Sequence, residues 1–134
     1  MKKFISILSI AAIIVTASCK KNKDAHVPPD LAFKTTAGYT SGNTTINHGD
    51  SILVGVVITK KEDDLRTLNI SYAYDGAGSS TTHLNYAMTT AEYTGFNHDY
   101  YLVSRNVAGT EKWTFTVTDR DGNLAQKSLT VTVQ

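Results

Sequence analysis

Residues capable of catalysis or metal binding are spread thinly along this chain. Ser79 and Ser80 follow Gly76-Ala77-Gly78, but the order matches neither a Gly-x-Ser-x-Gly nucleophile elbow nor a phosphate-binding loop. The four histidines form no i, i+4 pair and no His-Glu-x-x-His sequence: His26, His48, His83 and His98. We therefore predict no catalytic residues, no cofactor and no zinc site, and expect that the chain is not an enzyme.

One set of oxygen-bearing side chains deserves comparison with a calcium loop. Asp119, Asp121 and Asn123 occupy alternating positions, as the first ligands of such a loop do. An EF-hand places glycine at its sixth position and a bidentate Glu at its twelfth, whereas here Gly122 is fourth and Thr130 is twelfth. Since Asp-Gly is also a hairpin-turn signal, we predict that the trio forms a turn and is at most a weak metal site.

The densest group of large aromatic side chains lies in the stretch EYTGFNHDYY. It contains Tyr93, Phe96, Tyr100 and Tyr101 among glycine, amide, imidazole and carboxylate groups. Such a mixture suits a glycan ring or a protein interface, so these four residues are the candidate ligand-binding residues, expected in or beside a loop. The alternative is core packing, with one of the two adjacent tyrosines pointing inward and Phe96 closing one end of the domain.

The beginning of the chain has the layout of a secretory signal. Met1-Lys2-Lys3 is basic, the run Phe4 to Val15 is apolar, and Thr16-Ala17-Ser18 are small. The apolar run is shorter than the roughly 20 residues of a membrane-spanning helix. We therefore predict that residues 1–18 are a cleaved signal peptide.

The residues around the only cysteine resemble a bacterial lipoprotein processing site. Thr16-Ala17-Ser18-Cys19 is similar to the lipobox, with Thr16 where an aliphatic residue is usual, and the following lysines and acid resemble lipoproteins of Bacteroidetes. The resemblance implies cleavage before Cys19, acylation of its thiol and amine, and anchoring in the outer membrane, on its surface or periplasmic face. The alternative is plain secretion after cleavage at Ala17 or Ser18, which leaves an unpaired thiol.

The net charge of the chain limits the classes of partner that can be expected. Formal net charge is +1 for the whole chain, and removal of Lys2 and Lys3 lowers it by two, to −1. Because nucleic-acid binding requires a basic surface, no nucleic-acid partner is expected. Residues 19–29 end in two prolines and show no apolar periodicity, so they are predicted to be a lipidated cysteine followed by a flexible tether.

Residues 30–134 have the length of one domain, and their apolar residues repeat with period two. Trp113, Phe115 and Val117 alternate with threonines, which predicts strands with one face in the core. The run Ile52 to Ile58 is almost wholly apolar, which predicts a strand buried on both faces or covered by the tether. Further strands are expected near Leu31–Thr35, Thr44–Asn47, Leu68–Tyr74, Leu84–Met88, Tyr100–Ser104 and Ser128–Val133, with one helical turn in Thr89–Thr94.

The closing segment WTFTVTDRDGNLAQKSLTVTV, Trp113 to Val133, resembles the last hairpin of bacterial immunoglobulin-like domains, including the PKD-like group. Tyr72-Ala73-Tyr74-Asp75-Gly76 is similar to a remnant of the PKD signature. The resemblance implies an all-β, antiparallel immunoglobulin-like sandwich of about seven strands. Domains of this kind usually act as spacers or adhesins, or present loops to glycans and proteins.

The sequence thus predicts a cell-envelope lipoprotein acting as a non-enzymatic binding, adhesion or scaffold module for a glycan or protein. The alternative is a small secreted hydrolase or protease-inhibitor-like domain, whose inhibitory loop would be Gly76 to Ser80. Asp50-Ser51-Ile52 resembles the O-glycosylation sequence of exported Bacteroidetes proteins, and Ser51 is equally well explained as the polar start of a strand.

Lipid attachment at Cys19 can be tested directly. Mass spectrometry of the membrane fraction is expected to find acyl chains on an N-terminal Cys19, and Cys19→Ala is expected to move the protein out of that fraction. Lys21→Ala leaves the processing site intact and serves as the matched control. Recovery of an unmodified, soluble mature chain from the wild type would contradict the prediction.

Overall fold

The computed structural model describes residues 25–134, which form two β-sheets packed face to face. The predicted signal peptide, Cys19 and the tether up to Asp24 lie outside the described residues. Among the described residues, no helix has the length and apolar character needed to cross a membrane. The strands are β1 (Asp30–Phe33), β2 (Thr44–Ile46), β3 (Ser51–Thr59), β4 (Leu65–Tyr74), β5 (Thr81–Ala87), β6 (Gly95–Val103), β7 (Gly109–Asp119) and β8 (Leu124–Val133), with a 3₁₀ turn at Thr90–Glu92.

The two sheets differ in width. The smaller sheet has three strands in the order β1-β3-β6, and the larger sheet has five in the order β2-β8-β7-β4-β5. The predicted all-β sandwich is therefore confirmed, with eight strands. Neighbouring strands are antiparallel except for β2 and β8, which run parallel, a pairing that the sequence analysis did not anticipate.

The core lies between the sheets and is built by the predicted alternation. Trp113, Phe115 and Val117 of β7 are buried, while the threonines between them are only partly covered on the opposite face. None of the described residues is a cysteine, so the sheets are held together by apolar burial, at roughly 25 cal/mol per Å². The innermost side chains come from both sheets and include Val54, Val56, Ile58, Leu65, Leu68, Ile70, Phe115 and Val131.

Strand β3 is covered on its outer face as well as its inner one, but by a different segment from the one expected. The backbone of Lys34 and Thr40 continues alongside β3, donating to the carbonyls of Gly55 and Leu53. The side chains of Lys34 and Tyr39 cross over Gly55 so closely that any Cβ there would collide with them. The cover is therefore the segment after β1, because the tether enters at the opposite end of this strand pair.

One end of the sandwich is organised around a buried carboxylate. Glu111, with 1% of its surface exposed, accepts hydrogen bonds from the Arg105 backbone N–H (2.8 Å) and Trp113 Nε1 (3.0 Å). Arg105 Nη2 in turn donates to both oxygens of Asp75, at 2.6 and 2.8 Å, and its guanidinium lies 4.6 Å from the Tyr74 ring centre. The Arg105 hydrogen bond holds the pKa of Asp75 below its usual value. This network joins the β4–β5 and β6–β7 loops.

Substitution of two glycines with positive φ tests how rigidly this network is held. Gly109 (φ +143°) has no room for a Cβ, which would overlap Arg105 and Asp75, whereas Gly122 (φ +89°) has no neighbour within 4 Å. Gly122→Ala is expected to cost about 1 kcal/mol of unfolding free energy from backbone strain alone, and Gly109→Ala about 3 kcal/mol, because the ion pair must also move. Urea denaturation of both variants measures the difference. Equal losses would show that the Cβ at Gly109 is accommodated without disturbing the Arg105–Asp75 ion pair.

Candidate functional site

A cleft opens along the long side of the sandwich where β5 and β6 face each other. Both are edge strands, β5 in the larger sheet and β6 in the smaller one. Because three strands cannot cover five, the inner face of β5 is left half-exposed. We call this cleft the edge cleft; its volume is about 410 Å³ and it is lined by Leu84, Tyr86, Glu92, Phe96, His98 and Tyr100.

Strand β6 supplies half of this lining and corrects an expectation. The segment around Tyr93–Tyr101 was expected in or beside a loop, but from Gly95 onward it is a nine-residue strand. Alternating residues point inward: Phe96, His98, Tyr100 and Leu102. The period-two signal was present in the sequence, but polar His98 and Asn97 obscured it. The strand was therefore predicted only from Tyr100 onward.

The inward side chains of β6 form a row of rings with one ring from β5. Tyr86 stacks on Phe96 with ring centres 5.2 Å apart and an interplanar angle of 30°. Phe96 and His98 are 5.8 Å apart, and His98 and Tyr100 are 4.8 Å apart. The edge cleft is thus walled by aromatic faces, which suit either the C–H face of a sugar or an apolar side chain.

Glu92 places a negative charge in the edge cleft. Its Oε2 accepts hydrogen bonds from the Thr89 backbone N–H (2.7 Å) and hydroxyl (2.9 Å), and the Tyr86 hydroxyl lies 2.9 Å from both carboxylate oxygens. The Thr89 N–H is the main cause of a lowered pKa for Glu92, which is therefore ionised at neutral pH. Sequence reasoning missed Glu92, although Thr89-x-x-Glu92 is a capping-box pattern that fixes such a side chain.

The four predicted ligand-binding residues do not converge. Phe96 and Tyr100 line the edge cleft, and both also pack on the core, as the alternative interpretation expected. Tyr93 is half-buried beside Arg66, whose Nη1 donates to its hydroxyl at 3.3 Å. Tyr101 lies on the outer face of the smaller sheet and is 71% exposed. Leu84, Tyr86, Glu92 and His98 were not predicted as site residues.

The Asp119, Asp121 and Asn123 trio forms the β7–β8 turn. Asp119 is 2% exposed, and its Oδ1 accepts from the backbone N–H groups of Asp121 (3.0 Å) and Asn123 (2.8 Å). Its Oδ2 accepts from the Asn123 side-chain amide at 2.9 Å. A cation at this position would have to displace N–H donors from both oxygens. Within residues 25–134, no three His, Cys, Asp or Glu side chains are grouped so that they could hold a metal ion.

The environment of Tyr100 gives a pH-dependent prediction. Burial raises the pKa of its phenol from 10.0 to about 12. Above pH 10 the unfolded chain loses this proton while the folded protein keeps it, so the contribution of Tyr100 to stability falls as pH rises from about 10 to about 12. Urea unfolding across this range is expected to show a steeper loss for the wild type than for Tyr100→Phe. Tyr101→Phe removes the same hydroxyl from the exposed neighbour and is the matched control; a slope for Tyr100→Phe identical to that of the wild type would contradict the assignment.

Comparison with known proteins identifies the fold. No protein-family model and no curated protein matches the sequence. Among solved structures, the complex of zinc 2-glycoprotein and prolactin inducible protein from human seminal plasma matches with a TM-score of 0.51 and 5% identity, over 81% of this chain and 95% of the other. Murine CRIg matches with a TM-score of 0.41 and 11% identity, over 79% of this chain and 98% of the other. With a TM-score above 0.5 and 5% identity, the likeness to the seminal-plasma structure concerns the fold alone. With its two sheets packed face to face, the chain is an immunoglobulin-like β-sandwich.

Proposed function

We propose that this protein is a cell-envelope lipoprotein, anchored in the outer membrane through Cys19, whose sandwich is a non-enzymatic binding module that uses the edge cleft. The observation that carries the proposal is the cleft itself: a concave site of about 410 Å³ with aromatic walls and one fixed carboxylate. Concave, mostly apolar sites with a few placed polar groups are the usual form of ligand sites.

The chemistry of the cleft favours binding over catalysis. A general acid working near neutral pH needs a raised carboxyl pKa, whereas the pKa of Glu92 is lowered by the Thr89 N–H. Both oxygens of Glu92 are also within hydrogen-bond distance of the Tyr86 hydroxyl, so the carboxylate is held as a fixed charge. A fixed charge beside aromatic faces can orient a ligand without reacting with it.

The point where the chain enters the domain is compatible with an anchor. The backbone N–H groups of Ala25 and Val27 approach the Glu62 carboxylate at 3.4 and 3.3 Å, and Pro29 is buried. The chain thus enters at the end that carries the β3–β4 loop and the β7–β8 turn. The human seminal-plasma structure is a protein complex, which agrees with an associative role for this fold.

The binding role can be tested with single variants on a glycan array and an extracellular-matrix protein panel. His98→Ala removes an exposed ring from the edge cleft and is expected to reduce retention about tenfold while changing the melting temperature little. His48→Ala removes a ring of the same type from the exposed β2–β3 loop, outside the edge cleft, and is the matched control, expected to keep binding.

Equal retention of His98→Ala and His48→Ala would show that the protein binds through another surface. Retention of the wild type on neither panel would favour a spacer.

A further inference from the structure

We infer that the edge cleft is the place of a missing strand: β6 accepts an extended segment of a partner protein as the fourth strand of the smaller sheet. This inference rests on the proposed binding function and names its ligand class. Its first support is the strand order, since β6 is the last strand of a three-stranded sheet that faces a five-stranded one. A strand added beside β6 would lie over the uncovered inner face of β5.

The backbone of β6 is arranged to receive such a strand. Lys60 N–H donates to the Thr94 carbonyl (3.1 Å) and Ser104 N–H to the Asp50 carbonyl (2.9 Å), in the same register as the β3–β6 ladder. Since hydrogen-bonded positions alternate in an antiparallel pair, the even-numbered residues of β6 direct their N–H and C=O groups toward β3. The odd-numbered residues direct theirs to the free edge: Asn97, Asp99, Tyr101 and Val103. Within residues 25–134, no strand pairs with that edge.

The side chains around this edge define what the partner strand should carry. Its inward residues would meet Leu84 and the ring of Tyr86, which are half-buried and pack against the core, so most of them should be apolar. One inward position faces the ionised Glu92, which favours Lys or Arg there. Its outward residues would lie beside Tyr101 and Val103, which are 71% and 63% exposed. The expected partner is therefore an extended segment rich in β-branched and aromatic residues with one cation.

Two other occupants fit less well. A glycan could fill the edge cleft but would leave the row of edge N–H and C=O groups without a regular partner. A second copy pairing β6 with β6 would bring in Phe96, His98 and Tyr100 but no lysine or arginine to meet Glu92. An extended peptide with alternating side chains uses both the edge and the cleft, as β-strand addition does elsewhere.

The probe is a displayed library of random-sequence peptides, selected on the full-length protein. Tyr101→Pro removes an N–H group on the free edge while leaving the β3–β6 hydrogen bonds intact, because proline is tolerated at such edge positions. Tyr101→Thr keeps that N–H group and removes the same ring, so it is the matched control. Selected peptides are expected to bind Tyr101→Pro about tenfold more weakly than Tyr101→Thr, because the peptide carbonyl loses its donor.

A second measurement needs no variant. On binding of a selected peptide to the wild type, amide hydrogen exchange is expected to slow at Asn97, Asp99, Tyr101 and Val103, while the already paired amides of the even-numbered residues change little. Uniform protection along β6, or equal binding by Tyr101→Pro and Tyr101→Thr, would overturn strand addition.

The remaining outcomes distinguish a failure of strand addition from a failure of the proposed binding function. If the library yields no binder but the glycan array retains the wild type through His98, the inference fails and the proposed binding function stands. Concentration-dependent dimerisation in sedimentation, lost in Tyr101→Pro, would overturn the inference in favour of a second copy. If neither a peptide nor either panel binds, both the inference and the proposed function fail.

Discussion

The burial of two sheets of unequal width against each other, without a covalent cross-link, is the constraint on which this structure depends. Central strands such as β3 and β7 satisfy it fully, since Val54, Val56, Phe115 and Val117 are completely buried. The flank of the larger sheet does not satisfy it, because β6 ends the smaller sheet before β5 is covered. The edge cleft is the direct result. Burial of its half-exposed apolar surface in a complex would contribute free energy to association.

Buried carboxylates hold the two ends of the sandwich and leave this flank free. Glu111 is satisfied by the Arg105 N–H and the Trp113 indole, and Asp119 by the amides of its own turn. A buried carboxylate surrounded by N–H donors is stable only if every donor keeps its place, so both loop ends are geometrically fixed. The less completely packed side chains lie on the β5–β6 side, so we expect any adjustment to the proposed ligand to occur there.

The sequence predicted the parts of the fold that depend on local alternation. Trp113, Phe115 and Val117 pointed to a core strand, and Asp119–Asn123 to a turn, because each signal lies within a few residues. The edge cleft was only partly predictable: Phe96 and Tyr100 were identified, but Tyr86 and Glu92 were not. Their convergence depends on which strands end each sheet, and strand order is set by contacts between distant segments that no local pattern encodes.

The parallel pairing of β2 with β8 also restricts the order in which the protein can fold. Thr44 to Ile46 lie beside Val131 to Val133, and Thr130 N–H donates to the Asn43 side chain at 2.8 Å across a separation of 87 residues. Strand β7 is the central strand of the larger sheet, between β8 and β4, so β2 has no partner strand and β4 lacks one of its two neighbours until β7 and β8 are available. Contacts of such long range make folding slow, and a chain that emerges from its N-terminus onward cannot complete the larger sheet until β7 and β8 have emerged.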